Sequence, residues 1–242
     1  MIPAGALREG PGCALPPDAQ PEIPLNTAPP AAARPSTTPP PSSPARPRRF
    51  PAEVLRPNEV RALLDACGTT PAGLRTRALI AALYRAGLRL NEARLLRVKD
   101  LDPDARSIRV LHAKGGRART VGIDHGGTAL LIDWLEARKT LGHGVDGWVF
   151  CGRSGEPISA SYVRVQLQRL GHRAGLDRRV HAHGFRHAHA AELRAEGVDV
   201  AVIRRQLGHA SLATTIRYLD HLCPAAVVRA IQAREWEVGE VD

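Results

Sequence analysis

A tyrosine attacks a phosphodiester only where cations neutralise the non-bridging oxygens and a base takes its proton. With an ordinary pKa of about 10, roughly one phenol in a thousand is ionised at neutral pH, so the site has to supply the reactivity. The stretch from His183 to Tyr218 has the residue types for such a site. His181-Ala182-His183-Gly184-Phe185-Arg186-His187 opens it, and Leu207-Gly208-His209 leads through Ser211 to Tyr218, nine residues after His209. If a helix starts near His183, the three-residue spacing sets His183 and Arg186 on one face at its amino end, where anions are favoured. Ser211 reads as the N-cap of a further short helix that carries Tyr218 back toward His209.

These side chains need a scaffold, and the apolar spacing predicts one that is mainly α with a small antiparallel β-sheet, an α+β fold. Leu55, Val60, Leu63 and Leu64 mark a first helix entered through Pro57, and Leu79, Ile80, Leu83 and Tyr84 mark a second that stops at Gly87. A third is expected from near Arg89 through Leu95, Leu96 and Val98 to Asp100. The period then changes. Residues 107–111 and 119–123 alternate like strands on either side of Lys114-Gly115-Gly116-Arg117, a hairpin preceded by a turn at Leu101-Asp102-Pro103-Asp104. Helical spacing returns at Leu130, Leu131, Trp134 and Leu135, at Val163, Leu167 and Leu170, and at Val200, Ile203 and Leu207. A last helix is expected over about 224–236, behind Pro224.

Five blocks follow one another along this scaffold: Tyr84-Arg85-Ala86-Gly87-Leu88-Arg89-Leu90-Asn91-Glu92, the Lys114 hairpin, His183-Gly184-Phe185-Arg186-His187, Leu207-Gly208-His209 and Tyr218. Their order and spacing resemble the tyrosine recombinases, or phage-type integrases, over roughly residues 55–222. The resemblance implies that family's catalytic-domain fold and a metal-free, two-step transesterification on double-stranded DNA. Tyr218 would attack the scissile phosphate, leaving a 3'-phosphotyrosine and a free 5'-hydroxyl, and another strand's hydroxyl would reverse the step. By the same resemblance Arg89 and Arg186 clamp the non-bridging oxygens, a role suited to planar bidentate donors. His183 exchanges the tyrosine's proton, His209 hydrogen-bonds the phosphate, and Lys114 protonates the leaving 5'-oxygen. Glu92 matches an acidic position that orients the first arginine, and His187 a neighbour of the second that supports the site from behind. A homotetramer on DNA during synapsis is also implied, with the C-terminal helix docking on a neighbouring protomer through Val227, Val228 and Ile231 or, alternatively, on its own core. No cofactor is implied.

One feature of composition supports the role of Lys114 apart from the resemblance. Of the 34 basic residues only Lys99, Lys114 and Lys139 are lysines, so arginine serves almost wherever a positive charge suffices. A general acid is different: arginine, with a pKa above about 12, does not readily give up a proton, whereas a lysine beside a phosphate does. A metal site is the rival reading of His181, His183, His187 and His189, since His183 and His187 are four apart. The sequence there has neither the Glu of an H-E-x-x-H site nor a nearby Cys, and no metal is expected.

Composition bounds the rest. The 242 residues, 43% of them hydrophobic, suffice for one folded domain, and a formal charge of +10 points to a polyanionic partner. The sequence has no run of about 18 apolar residues, which favours DNA over a membrane. Cys13, Cys67, Cys151 and Cys223 are scattered singly and no secretory signal is evident, so a cytoplasmic, nucleoid-associated protein is expected. Residues 1–50 hold fourteen of the twenty prolines and almost no large apolar residues; they are expected to be a disordered tail ahead of a catalytic domain over 51–242. The family usually carries a helical core-binding domain in that place. Three classes therefore stay open: an active site-specific recombinase or integrase of a mobile genetic element, a DNA-binding remnant that cleaves poorly for want of that domain, and a type IB topoisomerase-like relaxing enzyme.

Overall fold

The computed structural model describes residues 54–112 and 118–223, with 228 and 231–233 beyond them. The expected proline-rich tail and Lys114 lie outside the described residues, as does most of the expected helix over 224–236. Helix α1 (Pro57–Ala66) starts on a proline whose missing N–H costs nothing in a first turn, and Glu59 folds back to accept from the Arg56 N–H at 2.6 Å. Helix α2 (Pro71–Tyr84) is capped by Thr70, which accepts from the Gly73 N–H at 3.2 Å. Its run from Ala78 to Tyr84 is buried all round, because α4 (His125–Thr140) packs on one side and α6 (Ala182–Ala195) on another. Helix α5 (Ala160–Arg173) covers α1, and Trp134, Phe150 and Phe185 fill the space between these elements.

The expected third helix is shorter than its spacing predicts. Helix α3 spans only Leu90–Arg94, and a single 3-10 turn follows at Val98–Asp100. Between them the backbone has other partners: Leu96 C=O accepts from the Val149 N–H at 2.8 Å and the Val98 N–H donates to Gly147 C=O at 3.1 Å. An i→i−4 ladder cannot use groups that a neighbouring extended segment already holds. The sheet differs in one detail too. Leu101–Asp102 is not part of a turn but a short edge strand, β1, paired antiparallel with β2 (Ser107–Val110), which pairs in turn with β3 (Arg119–Gly122). Leu101 can pair opposite the buried Ile108, and the reversal waits for Pro103, where Asp102 accepts from the Ala105 N–H at 2.9 Å. Ile108, Val110 and Val121 form the sheet's buried face. The mainly helical fold with a small antiparallel sheet is as the apolar spacing predicts.

Helices α7 (Val200–Leu207) and α8 (Leu212–Leu222) follow α6, capped by Asp199 and Ser211. They meet α6 through a second, smaller apolar cluster of Ala190, Ile203, Leu207, Leu219 and Leu222, separate from the main core. Cys67 and Cys151 are buried thiols outside any disulfide. Among the described residues no helix is long and apolar enough to cross a membrane.

The turn between α2 and α3 depends on Gly87, which has φ +64 and lies so close to α6 that a Cβ there would sit 2.4 Å from Cδ2 of His189. A left-handed side chain costs about 1–2 kcal/mol before the clash is added. Gly87→Ala should lower the melting temperature by about 3–8 °C in calorimetry. His189 itself is 5% exposed, and burial first, then the Arg85 charge, bring its pKa from the ordinary 6.5 down to about 4. The unfolded chain therefore binds a proton that the folded chain refuses between those values. Stability present above about pH 6.5 should drain as pH falls toward about 4, and less steeply in His189→Gln, as melting temperatures across that range will show.

Candidate active site

Helix α6 begins with its own imidazole cap: His181 Nδ1 accepts from the Gly184 N–H at 3.1 Å. The first two turns then carry His183, Arg186 and His187. Arg186 is 1% exposed, and its guanidinium donates to the carbonyls of Gly87, in the turn after α2, and Leu207, the last residue of α7. Burial, then the nearby Arg89, lowers its pKa to about 10, which leaves it charged at neutral pH. Its Nη2 lies 3.4 Å from Nε2 of His209. His209 Nδ1 is 3.0 Å from the Thr215 hydroxyl, which donates onward to Ser211 C=O at 3.4 Å. That pattern assigns the His209 proton to Nδ1 and leaves Nε2 facing the arginine. Burial, followed by Arg186, holds His209 at about 4.

A second cluster adjoins the first. Arg89 is the N-cap residue of α3; its N–H donates to Glu92 Oε2 and its Nη1 to Oε1, both at 2.9 Å, while Nη2 lies 3.5 Å from Gly208 C=O. Glu92 is buried, and Arg119 at the start of β3 holds both its oxygens, at 3.0 and 2.9 Å. Burial pushes the Glu92 carboxyl up, but the Arg119 fork and the Arg89 N–H outweigh it and bring the pKa to about 2. Arg119 also explains the glycine that follows Leu207. Gly208 has φ +62, and a Cβ on it would sit 2.7 Å from Arg119 Nε. Sequence reasoning missed Arg119: a pair 27 positions apart leaves no periodic trace, and Arg119 is one basic residue among 34.

Tyr218, on α8, faces this ground among imidazoles. Its ring stacks on His187 at 5.3 Å and 21°, meets His209 edge-on at 5.2 Å and 84°, and lies 6.5 Å from His183. Its hydroxyl is buried and has no hydrogen-bond partner among the described residues. Burial raises the phenol to about 12, against the opposing pull of Arg186 and Arg89. Burial, then Arg186, also holds His183 below its ordinary value, and burial, then His183, holds His187 at about 4. The resting state is thus a protonated phenol beside neutral bases and two guanidinium groups. A cleft of about 760 Å³ opens beside it, lined by Arg89, Asn91, Arg164, Arg179, His181 and His183 among others. The structure brings Arg89, Glu92, His183, Arg186, His187, His209 and Tyr218 together, and Lys114 lies outside the described residues. Among the described residues no three His, Cys, Asp or Glu side chains converge as metal ligands.

Comparison with known proteins converges on the same region. Tyrosine recombinase XerC of Xanthomonas axonopodis pv. citri (strain 306) is 36% identical over 176 residues, covering 73% of this chain and 56% of that protein. XerC of Xylella fastidiosa (strain M23) is 36% identical over 190 residues, covering 76% of this chain and 63% of that protein. The chain thus spans between about half and two thirds of the length of these curated relatives. Among solved structures, XerA recombinase superposes with a TM-score of 0.68 at 26% identity, covering 78% of this chain and 68% of that one. XerH site-specific recombinase, in a post-cleavage complex with palindromic difH substrate, gives 0.62 at 27% identity, covering 76% and 54%. The model of the phage integrase family matches residues 53–223, and the chain belongs to that family.

Proposed function

We propose that this chain is a site-specific DNA recombinase, which cuts and rejoins double-stranded DNA through a 3'-phosphotyrosine intermediate. The observation that carries the reading is the Tyr218 phenol, held among His183, His187 and His209 at the edge of a site where Arg89 and Arg186 converge. It is supported by the relatives named tyrosine recombinases and by XerH, whose structure is a post-cleavage complex on its difH substrate. Each step exchanges one phosphodiester for another, so no nucleotide has to be consumed.

In this reading the scissile phosphate docks against Arg89 and Arg186, which bind its non-bridging oxygens as negative charge builds there, and His209 joins them once its proton sits on Nε2, with the Thr215 hydroxyl then donating to Nδ1. Tyr218 Oη forms the new bond to phosphorus and gives its proton to His183, which is neutral at pH 7 and can accept it. The bond from phosphorus to the 5'-oxygen breaks, and Lys114 supplies the proton that leaves with the 5'-hydroxyl. Attack by another strand's 5'-hydroxyl on the phosphotyrosine runs the same steps backward. His187 holds the Tyr218 ring from its stacked face. The +10 charge and the cleft arginines Arg164 and Arg179 suit a duplex, whose location puts the work in the cytoplasm, on the nucleoid. Strand exchange needs four protomers on two duplexes, and the exposed Val228 and Ile231 suit docking in trans.

A duplex carrying the recombination site, nicked just beyond the cleavage point, tests the chemistry, because the short leaving strand diffuses away and the protein stays bound covalently. The chain should be trapped as a covalent adduct on a denaturing gel and Tyr218→Phe should not; trapping that persists in the variant sinks the proposal. Lys114→Ala should slow trapping by about 10²–10⁴-fold. A 5'-bridging sulfur in place of oxygen needs no proton to leave, so it should restore most of that rate. A sulfur substrate that leaves the defect unchanged argues against Lys114 as the acid.

A further inference from the structure

Two arginines reach Glu92, and they share it unequally. Arg119 spans both oxygens, with Nη1 3.0 Å from Oε1 and Nη2 2.9 Å from Oε2. The Arg89 guanidinium touches only Oε1, and its other terminal nitrogen is 3.5 Å from a carbonyl, a weak contact. The burial differs in the same sense: the Arg119 side chain is 11% exposed and that of Arg89 31%. A carboxylate at 3% exposure attracts whatever cation is in reach, and a planar guanidinium gains most by taking both oxygens. Because Arg119 occupies that fork position, Arg89 is left with open donors facing the cleft.

We propose that Arg119 is a positioning residue for DNA cleavage: by occupying both oxygens of Glu92 it stops that carboxylate from capturing the Arg89 fork and keeps Arg89 available to the scissile phosphate. The inference rests on the recombinase reading for what Arg89 does, but not for where Arg89 points. Arg119 acts through a second contact as well. Its Nε donates to Gln206 C=O at 3.3 Å and its guanidinium lies against Gly208, so the same group fixes the turn that delivers His209.

Four variants separate positioning from bulk stability: Arg119→Ala, Arg119→Lys, Glu92→Gln and the double variant Arg119→Ala/Glu92→Gln. With the nicked duplex, Arg119→Ala should slow covalent trapping by about a hundredfold, with little change in duplex affinity. Arg119→Lys keeps the charge without the fork and should fall between. Adding Glu92→Gln to Arg119→Ala should recover about tenfold, because an amide has no charge with which to hold Arg89. A double variant no faster than Arg119→Ala overturns the inference. A crystal structure of Arg119→Ala, or of Arg119→Lys if the first does not fold, decides the point whatever the chain does to DNA. Arg89 turned onto both oxygens of Glu92 supports it; Arg89 unmoved overturns it. Failure of the unaltered chain to trap DNA would count against the recombinase reading alone.

Discussion

A guanidinium buried as deeply as Arg186 has to find acceptors for its donors inside the protein, and it finds backbone carbonyls rather than a carboxylate. Both carbonyls belong to places where a helix has just ended. Leu207 closes α7, where the last C=O groups have no internal partner and the helix dipole is negative, and Gly87 lies in the turn that ends α2. Those two turns lead directly to Arg89 and to His209. One side chain therefore sets the distance between parts of the site that come from three separate stretches of chain. Carbonyl dipoles hold the cation without neutralising it, so the charge remains for an external anion.

The ionisation states around it follow from that choice. Glu92, the one buried carboxylate beside these groups among the described residues, pairs with Arg89 and Arg119 while Arg186 has carbonyls alone, which leaves two of the three positive charges uncompensated in a region where water is partly excluded. Burial first, and nearby positive charge after it, keep the imidazoles here from protonating; His183, His187 and His209 all lie below their ordinary values. The phenol responds in the opposite sense to burial and stays protonated. A phosphodiester entering this space would supply the missing negative charge.

The parts legible in the sequence were those with local spacing. The apolar period located α1, α2, α4, α5 and α7, and the three-residue step from His183 to Arg186 falls on one helix whose start is within a residue of the expected place. The glycines could be read as turns, but not why they had to be glycine: His189 behind Gly87 and Arg119 behind Gly208 are neighbours only in space. Where tertiary partners took over the backbone, spacing misled, as in the segment after Arg94, whose carbonyl and amide groups turn to residues 147–149. Arg119 was illegible for the same reason. Its partner Glu92 lies across the fold, and a charge pair of that kind has no period.

The smaller apolar cluster has a mechanical meaning. Tyr218 rides on a helix anchored there by only two buried leucines, Leu219 and Leu222, whereas Arg89 and Arg186 belong to elements tied into the large core. Tyr218 therefore depends on a small apolar patch for its place, while Arg89 and Arg186 depend on the large core, so the phenol and the two guanidinium groups are held by separate parts of the fold.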